Sequence, residues 1–237
     1  MESDYLVTGF SKGLSVSCGK KEAQLECRNL KSALEQPEIV KEKLCKELLA
    51  GRIAGPILDK PGKKFNVCPL DLCPKKEPNK FRLIFHLSYR HGHSVNDYIP
   101  QEYSSVQYTR VADAIADIKK FKSQAFLAKT DISMAYRNFP LRPEDYHLLG
   151  FCWNNLHYFD KCLPMGCSPS CQIFERFSSG LHWIGQYYMP EGLMFHILDD
   201  FLIVQKNVKF IWTSFYKFAM KLVFQWQLKK RWDLLHV

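Results

Sequence analysis

An α+β fold, with a largely antiparallel sheet and helices beside it, is predicted from three observations. Stretches with helical periodicity alternate along the chain with short strand-like apolar runs, and no internal repeat relates them. A β-hairpin is legible near residue 200, and 46% apolar side chains over 237 residues are enough for a sizeable core.

The elements follow in order. Residues 1–35 are weakly patterned. Pro37 to Ala50 reads as a helix: Pro37 suits a first-turn position, Val40, Leu44 and Leu48 form one apolar stripe, and Gly51 can end it. Gly55 to Pro78, rich in proline and glycine, is expected to be extended and loop-like. Phe81 to Leu87 reads as a strand. Val111, Ile115, Ile118 and Phe121 recur at helical spacing, and Gln124 to Ile132 forms a short buried strand ending at Asp131. Ile173, Phe177, Leu181 and Ile184 mark a long helix. After Gly192, the hairpin arms are Met194–Leu198 and Phe201–Val204, with Asp199-Asp200 at the turn.

No stretch approaches the roughly 18 consecutive apolar residues of a membrane span, and the acidic start Met1-Glu2-Ser3-Asp4 is unlike a signal peptide. The expectation is an intracellular, non-secreted protein without a membrane partner; cytoplasm and nucleus stay equally open. Nine dispersed cysteines without a Cys-x-x-Cys pair fit reduced thiols better than a disulfide framework or a zinc site.

The net charge of +9 lies in two blocks. Lys60 to Arg82 holds seven basic residues against Asp71 and Glu77, and Lys206 to Arg231 holds seven more with no acid, so the remainder of the chain is mildly acidic. Aromatic residues, among them Phe65, Phe81, Trp212, Phe215 and Trp226, interleave with both blocks. Such a pattern suits a polyanion-binding cleft whose rings stack on bases; two solvated faces over ordinary core aromatics remain the plain alternative.

Asp199-Asp200 carries the most chemical content, because Ile197-Leu198 and Phe201-Leu202 on either side should draw the pair toward the core. Adjacent buried carboxylates repel each other and need a positive partner. The alternative is an acidic hairpin tip facing water. Asp131, at the end of the run Ala125-Phe126-Leu127-Ala128, is the second candidate, or else a helix N-cap. If the two strand ends lie side by side, three carboxylates converge as ligands for hard divalent cations. A two-metal site about 3.5–4 Å apart serves phosphoryl transfer, so a nucleotidyl transferase or a nuclease is indicated. Met165-Gly166-Cys167-Ser168 lacks the second glycine of a nucleophile elbow, His91 and His93 read as a surface turn, and Asp145 and Glu175 have no partner legible in the sequence.

The order of segments resembles the reverse transcriptases. Lys-Thr-Asp131-Ile-Ser-Met-Ala-Tyr136, Leu163-Pro-Met-Gly166-Cys-Ser-Pro-Ser and Ile197-Leu-Asp199-Asp200 look like successive palm motifs, and Pro74-Lys-Lys76 with Phe81-Arg82-Leu-Ile resembles the fingers motif. The closer resemblance is to DIRS-type retrotransposons, which carry a tyrosine recombinase. It is borne by Gly51-Arg-Ile-Ala-Gly-Pro56, His86-Leu-Ser-Tyr89, Ser94-Val-Asn-Asp97, Leu148-Leu-Gly-Phe151 and Tyr158-Phe-Asp160-Lys-Cys-Leu-Pro164, within a match from about Leu30 to Val204.

The resemblance implies a right-hand polymerase: a lead-in over 1–55, fingers and palm over 56–237 with an antiparallel palm sheet flanked by helices, and a thumb absent or incomplete. Residues 205–237 match the family poorly. It implies an RNA-directed DNA polymerase acting on an RNA or DNA template–primer and deoxynucleoside triphosphates. Asp131 and Asp199 would hold two magnesium ions with Asp200 in support, and Lys76, or Lys75, with Arg82 would neutralise triphosphate oxygens. The backbone at Met134 and Ala135 would line the triphosphate. Tyr136 would block a ribose 2′-hydroxyl, and Gly166 would let backbone pass close to template and nucleotide. Ile197 replaces the usual aromatic residue and Met165 the usual glutamine. The chain stops soon after the hairpin, as a fragment or a decayed or reused copy would, so a catalytically silent nucleic-acid-binding remnant is the alternative and a nuclease the third reading.

Overall fold

Two units, interleaved along the chain, make up the computed structural model, which describes residues 2–16, 25–120, 125–206 and 233–236. One unit comprises Ser3–Ser105 with Tyr136–Ser170; the other comprises Val106–Ala135 with Cys171–Val237.

In the first unit, helix α1 (Glu2–Lys12) and the single turn α2 (Lys31–Leu34) precede α3 (Pro37–Leu49), which has Pro37 in its first turn and buries Val40 and Leu44. The stripe legible in the sequence is thus the face that packs. It meets Ile53 of β1 (Ile53–Ile57), Leu70 and Leu72 of β2 (Leu70–Pro74), and Phe151, Trp153 and Tyr158 of β5 (Gly150–Trp153) and β6 (Leu156–Asp160) in one core. Strands β1, β6 and β5 form an antiparallel sheet in that order, and Phe151 stacks on its cross-strand partner Tyr158 at 5.4 Å between centroids. Strand β2 pairs with β3 (Phe81–Phe85) as a separate hairpin.

The expectation of an extended loop from Gly55 to Pro78 is therefore corrected in two places: Gly55 to Ile57 belong to β1, and Leu70–Pro74 form β2. Leu70 and Leu72 alternate with the less buried Asp71, the two-residue period of a strand with one face in the core, and proline ends the run.

In the second unit, β4 (Phe126–Asp131) is the centre of a sheet ordered β7-β8-β4-β9, with β7 (Leu193–Ile197), β8 (Asp200–Gln205) and β9 (Asp233–His236) all antiparallel to their neighbours. Ala128, Met194, Phe201 and Ile203 are buried. Helix α4 (Val111–Lys119) and the long helix α5 (Ser170–Tyr188) accompany the sheet, and α5 approaches β7 closely at Gly185, where a Cβ would lie 2.4 Å from Met194 Cε.

The hairpin differs from the sequence expectation by one residue. Ile197 pairs with Asp200, so the two-residue turn is Leu198-Asp199, and Asp200 already belongs to β8. Leu198 has φ 54°, which lets it serve as the left-handed corner that two-residue hairpins require.

Among the described residues all eight cysteines are free, and no helix is long and apolar enough to cross a membrane. The second basic block, apart from Lys206, lies outside the described residues.

Candidate active site

Antiparallel pairing places the C-terminal end of β4 against the N-terminal end of β8. Asp131 stands opposite Asp200, Lys129 opposite Leu202, and the Ile132 N–H donates to the Asp199 carbonyl at 3.0 Å. All three aspartates predicted from the sequence therefore meet at one end of the sheet. Residues paired in register share a face, and Lys129 lies two residues before Asp131, so its Nζ reaches Asp200 Oδ1 at 3.0 Å.

Asp199 is half-buried in the turn. Burial pushes its carboxyl above the ordinary carboxylate range, and the Asp200 and Asp131 charges push the same way, against a backbone hydrogen bond and the Lys129 charge. Beside this end of the sheet, on the Lys129 face, lies a pocket of about 320 Å³ lined by residues that include Arg110, Val111, Phe195, Ile197, Asp200 and Leu202.

The donor set fits magnesium in one respect and not in another. Asp131 and Asp199 offer hard oxygen ligands, and the raised Asp199 carboxyl marks negative charge that a divalent cation would neutralise. Asp200, by contrast, is turned to Lys129, and among the described residues no three His, Cys, Asp or Glu side chains are grouped to hold a metal ion. The expected three-carboxylate cluster is thus replaced by two carboxylates and an ion pair. Magnesium commonly takes one or two protein carboxylates and fills its shell with water and substrate phosphates, so the smaller set suffices chemically.

Other predicted residues divide between the units. Met134 (φ 53°, exposed) and Ala135 (buried) follow β4 in the second unit. In the first unit, Lys76 sits in the turn of the β2–β3 hairpin and Arg82 on β3, both exposed. Tyr136 also belongs there and keeps only 8% of its surface exposed. Gly166 has φ 87°, and a Cβ added to it would meet nothing within 4 Å, so its missing side chain leaves open space rather than relieving an internal clash. Its carbonyl accepts from Asn96 Nδ2 at 2.7 Å, and Asn96 Oδ1 accepts from the Ser168 N–H at 2.9 Å, so one amide clamps both ends of the Gly166–Ser168 loop.

Sequence reasoning missed Asn96 and two buried polar networks. Arg137, next to Tyr136, bridges Asp160 and Glu47, and Glu47 also pairs with Arg52. Glu175 on α5 accepts from His196 Nε2 at 3.0 Å and from the Leu198 N–H at 3.3 Å, while His182 Nδ1 lies 2.9 Å from His196 Nδ1. Only the seven-residue spacing of Glu175 and His182, which puts both on one helix face, was available as a signal. Asp145, likewise without a legible partner, accepts from the Val16 N–H and from Arg142.

No protein-family model and no curated protein matches the chain. Solved structures do. A foamy viral protease-reverse transcriptase in complex with double-stranded DNA matches 94% of this chain at TM-score 0.68 and 16% identity, over 42% of its own length. The same kind of protein with an RNA/DNA hybrid matches 93% of the chain at TM-score 0.67 and 16% identity, over 27% of its length. Native prototype foamy virus protease-reverse transcriptase matches 94% at TM-score 0.65 and 18% identity, also over 27%. The chain thus spans between a quarter and less than half of these proteins, and at such identity the likeness is one of fold: the mixed helix and antiparallel-sheet architecture of a reverse transcriptase polymerase domain.

Proposed function

We propose that the chain carries the nucleotidyl-transfer site of an RNA-directed DNA polymerase from a DIRS-type retrotransposon, joining a primer 3′-hydroxyl to an incoming deoxynucleotide with loss of pyrophosphate. The observation that carries this reading is the β4–β8 register, which sets Asp131 opposite Asp200 with Asp199 in the adjoining turn.

In this reading Asp131 and Asp199 hold the metal, and Asp200 keeps Lys129 against the same strand ends. Two magnesium ions, when bound, would stabilise the attacking and leaving oxygens of an in-line displacement. Lys76 or Lys75 and Arg82 neutralise triphosphate oxygens, and the guanidinium fork of Arg82 suits two oxygens at once. The backbone of Met134 and Ala135 lines the triphosphate, the Tyr136 ring excludes a 2′-hydroxyl, and the open side of Gly166 accommodates template or nucleotide.

Primer extension by the full chain on an RNA template with magnesium tests the reading. Wild type is expected to extend, and Asp199→Asn to lose about a hundredfold or more, the counterpart of several kcal/mol of charge stabilisation. No magnesium-dependent product from wild type would overturn it, and degradation of the template without added nucleotides would transfer the site to a nuclease.

A further inference from the structure

The turn that presents Asp199 is built from an unfavourable residue. Leu198 holds φ 54°, a left-handed conformation that costs a branched-chain L-residue energy and persists only where its surroundings enforce it. Two backbone contacts enforce it here. On one side the Ile132 N–H donates to the Asp199 carbonyl at 3.0 Å; on the other the Leu198 N–H donates to Glu175 Oε2 at 3.3 Å.

The second contact comes from a side chain on a different element, and that side chain is itself fixed from behind. Glu175 and His196 keep 14% and 7% of their side-chain surface exposed, so the carboxylate has little water to turn to. His196 Nε2, facing Glu175 Oε1 at 3.0 Å, must carry a hydrogen. In the neutral ring His196 Nδ1 is then an acceptor, so His182 Nδ1, 2.9 Å away, is the donor. Burial and the neighbouring His196 hold His182 below its ordinary pKa, in keeping with a neutral ring. His196 also stacks on Phe201, one residue past the paired aspartates, at 5.5 Å. With both rings neutral the hydrogen bonds run from His182 to His196 to Glu175; in either protonation state of His196 the first carboxylate oxygen accepts from Nε2 and the second receives the turn.

We propose that Glu175 is a positioning residue: through the Leu198 N–H it fixes the corner from which Asp199 projects, with His196 and His182 locking its carboxylate in place. This rests on the reading of Asp199 as a metal ligand, and the experiment below keeps the two separable.

A neutral glutamine can take the same place. Its carbonyl oxygen still accepts from Leu198, its NH₂ donates to His196 Nε2, and both imidazoles shift tautomer so that the chain of hydrogen bonds reverses intact. Alanine offers no acceptor, and aspartate keeps the charge but falls one methylene short.

Backbone amide exchange followed by NMR on the full chain reads the turn, and binding of Mn²⁺ alone, followed by electron paramagnetic resonance, reads the site. In Glu175→Ala the Leu198 amide should exchange at least about tenfold faster, the worth of a hydrogen bond to a charged acceptor. Amides in the middle of β8 should hold their rates, and Mn²⁺ affinity should fall severalfold or more. Glu175→Gln should keep both readouts within about twofold of wild type. Glu175→Asp should move both in the direction of alanine by less, and it carries the test if the alanine variant does not fold. Leu198 exchange unchanged in the alanine or aspartate variant overturns the proposal, as does faster exchange with undiminished Mn²⁺ binding, or a glutamine variant that behaves as alanine does. Absence of Mn²⁺ binding by wild type overturns the metal reading instead, and leaves the amide readout to decide whether Glu175 fixes the turn.

Discussion

Replacing Arg137 with methionine should expose how strongly the first unit depends on one buried cation. Arg137 Nη1 donates to Asp160 Oδ2 at 2.6 Å, and Nη2 and Nε donate to Glu47 Oε2 at 2.8 and 3.2 Å. Burial works against the Arg137 charge, but Asp160 and Glu47 outweigh it and hold the guanidinium protonated. Glu47 would keep Arg52, bound through 2.9 Å contacts to both oxygens. Asp160, only 1% exposed, would keep only the Cys162 N–H at 3.0 Å. The loss is therefore dominated by one stranded carboxylate, worth about 3–5 kcal/mol, or roughly 10 °C in melting temperature for a chain of this size. Urea unfolding of Arg137→Met, Asp160→Asn and the double variant gives the coupling directly, and the double variant should recover most of the loss because no unpaired buried charge remains. The sign with pH is fixed as well. Without Arg137 the Asp160 carboxyl, already pushed up by burial, rises further above its unfolded value. Its ionisation then costs stability as pH rises, so the deficit is larger at pH 7 than at pH 5. A deficit under about 1 kcal/mol, or one that grows toward low pH, would refute the reasoning.

Asp199→Asn should be more stable than wild type, by up to about 1 kcal/mol once solvent screening of a half-exposed group is allowed for. Because the Asp199 carboxyl is raised in the folded state, the gap should open as pH rises through that raised range and close below about pH 4, in thermal melts without divalent cations. Gly166→Ala should fold, at a cost of about 1 kcal/mol for φ 87°, while primer extension falls at least tenfold; unchanged extension would remove Gly166 from the site. Gly150→Ala should instead fail to fold stably, because its Cβ would lie 2.3 Å from the Asn66 carbonyl oxygen and from the Phe65 ring. Circular dichroism melts of the two variants provide the comparison.

What the sequence made legible was whatever rests on a local period. Helix α3 is named by Val40 and Leu44 four residues apart, and β4 and β8 by apolar runs, the first ending and the second beginning on an aspartate. The β5–β6 hairpin escaped although its signal was present. Asn154 and Asn155, at φ 50° and 61°, form a two-residue turn between Trp153 and Leu156, and asparagine tolerates that conformation better than most residues. Strand β2 was hidden by the prolines and glycines around it, since only Leu70 and Leu72 reveal its buried face. The interleaving of the units could not be read from local patterns at all: it depends on long-range packing that returns the chain to the first unit at Tyr136. Glu175 and His196 belong to the same class. Twenty-one residues separate them, and only the packing of α5 on the sheet joins them.

The contrast among carboxylates is what separates site from scaffold in this chain. Asp160 has Arg137, Glu47 has two arginines, Asp145 has Arg142 and a backbone N–H, and Glu175 has His196. Each is satisfied by groups the fold brings to it, as burial of charge demands. Asp131 and Asp199 differ. Among the described residues neither forms an ion pair, and Lys129, the cation within reach, is bound to Asp200. The Asp131 and Asp200 charges push against Asp199 at this end of the sheet, although a single exchange to asparagine would relieve the repulsion. In the proposed reading that charge has a use, because two oxygen donors of this kind would suit a divalent cation, which would neutralise them.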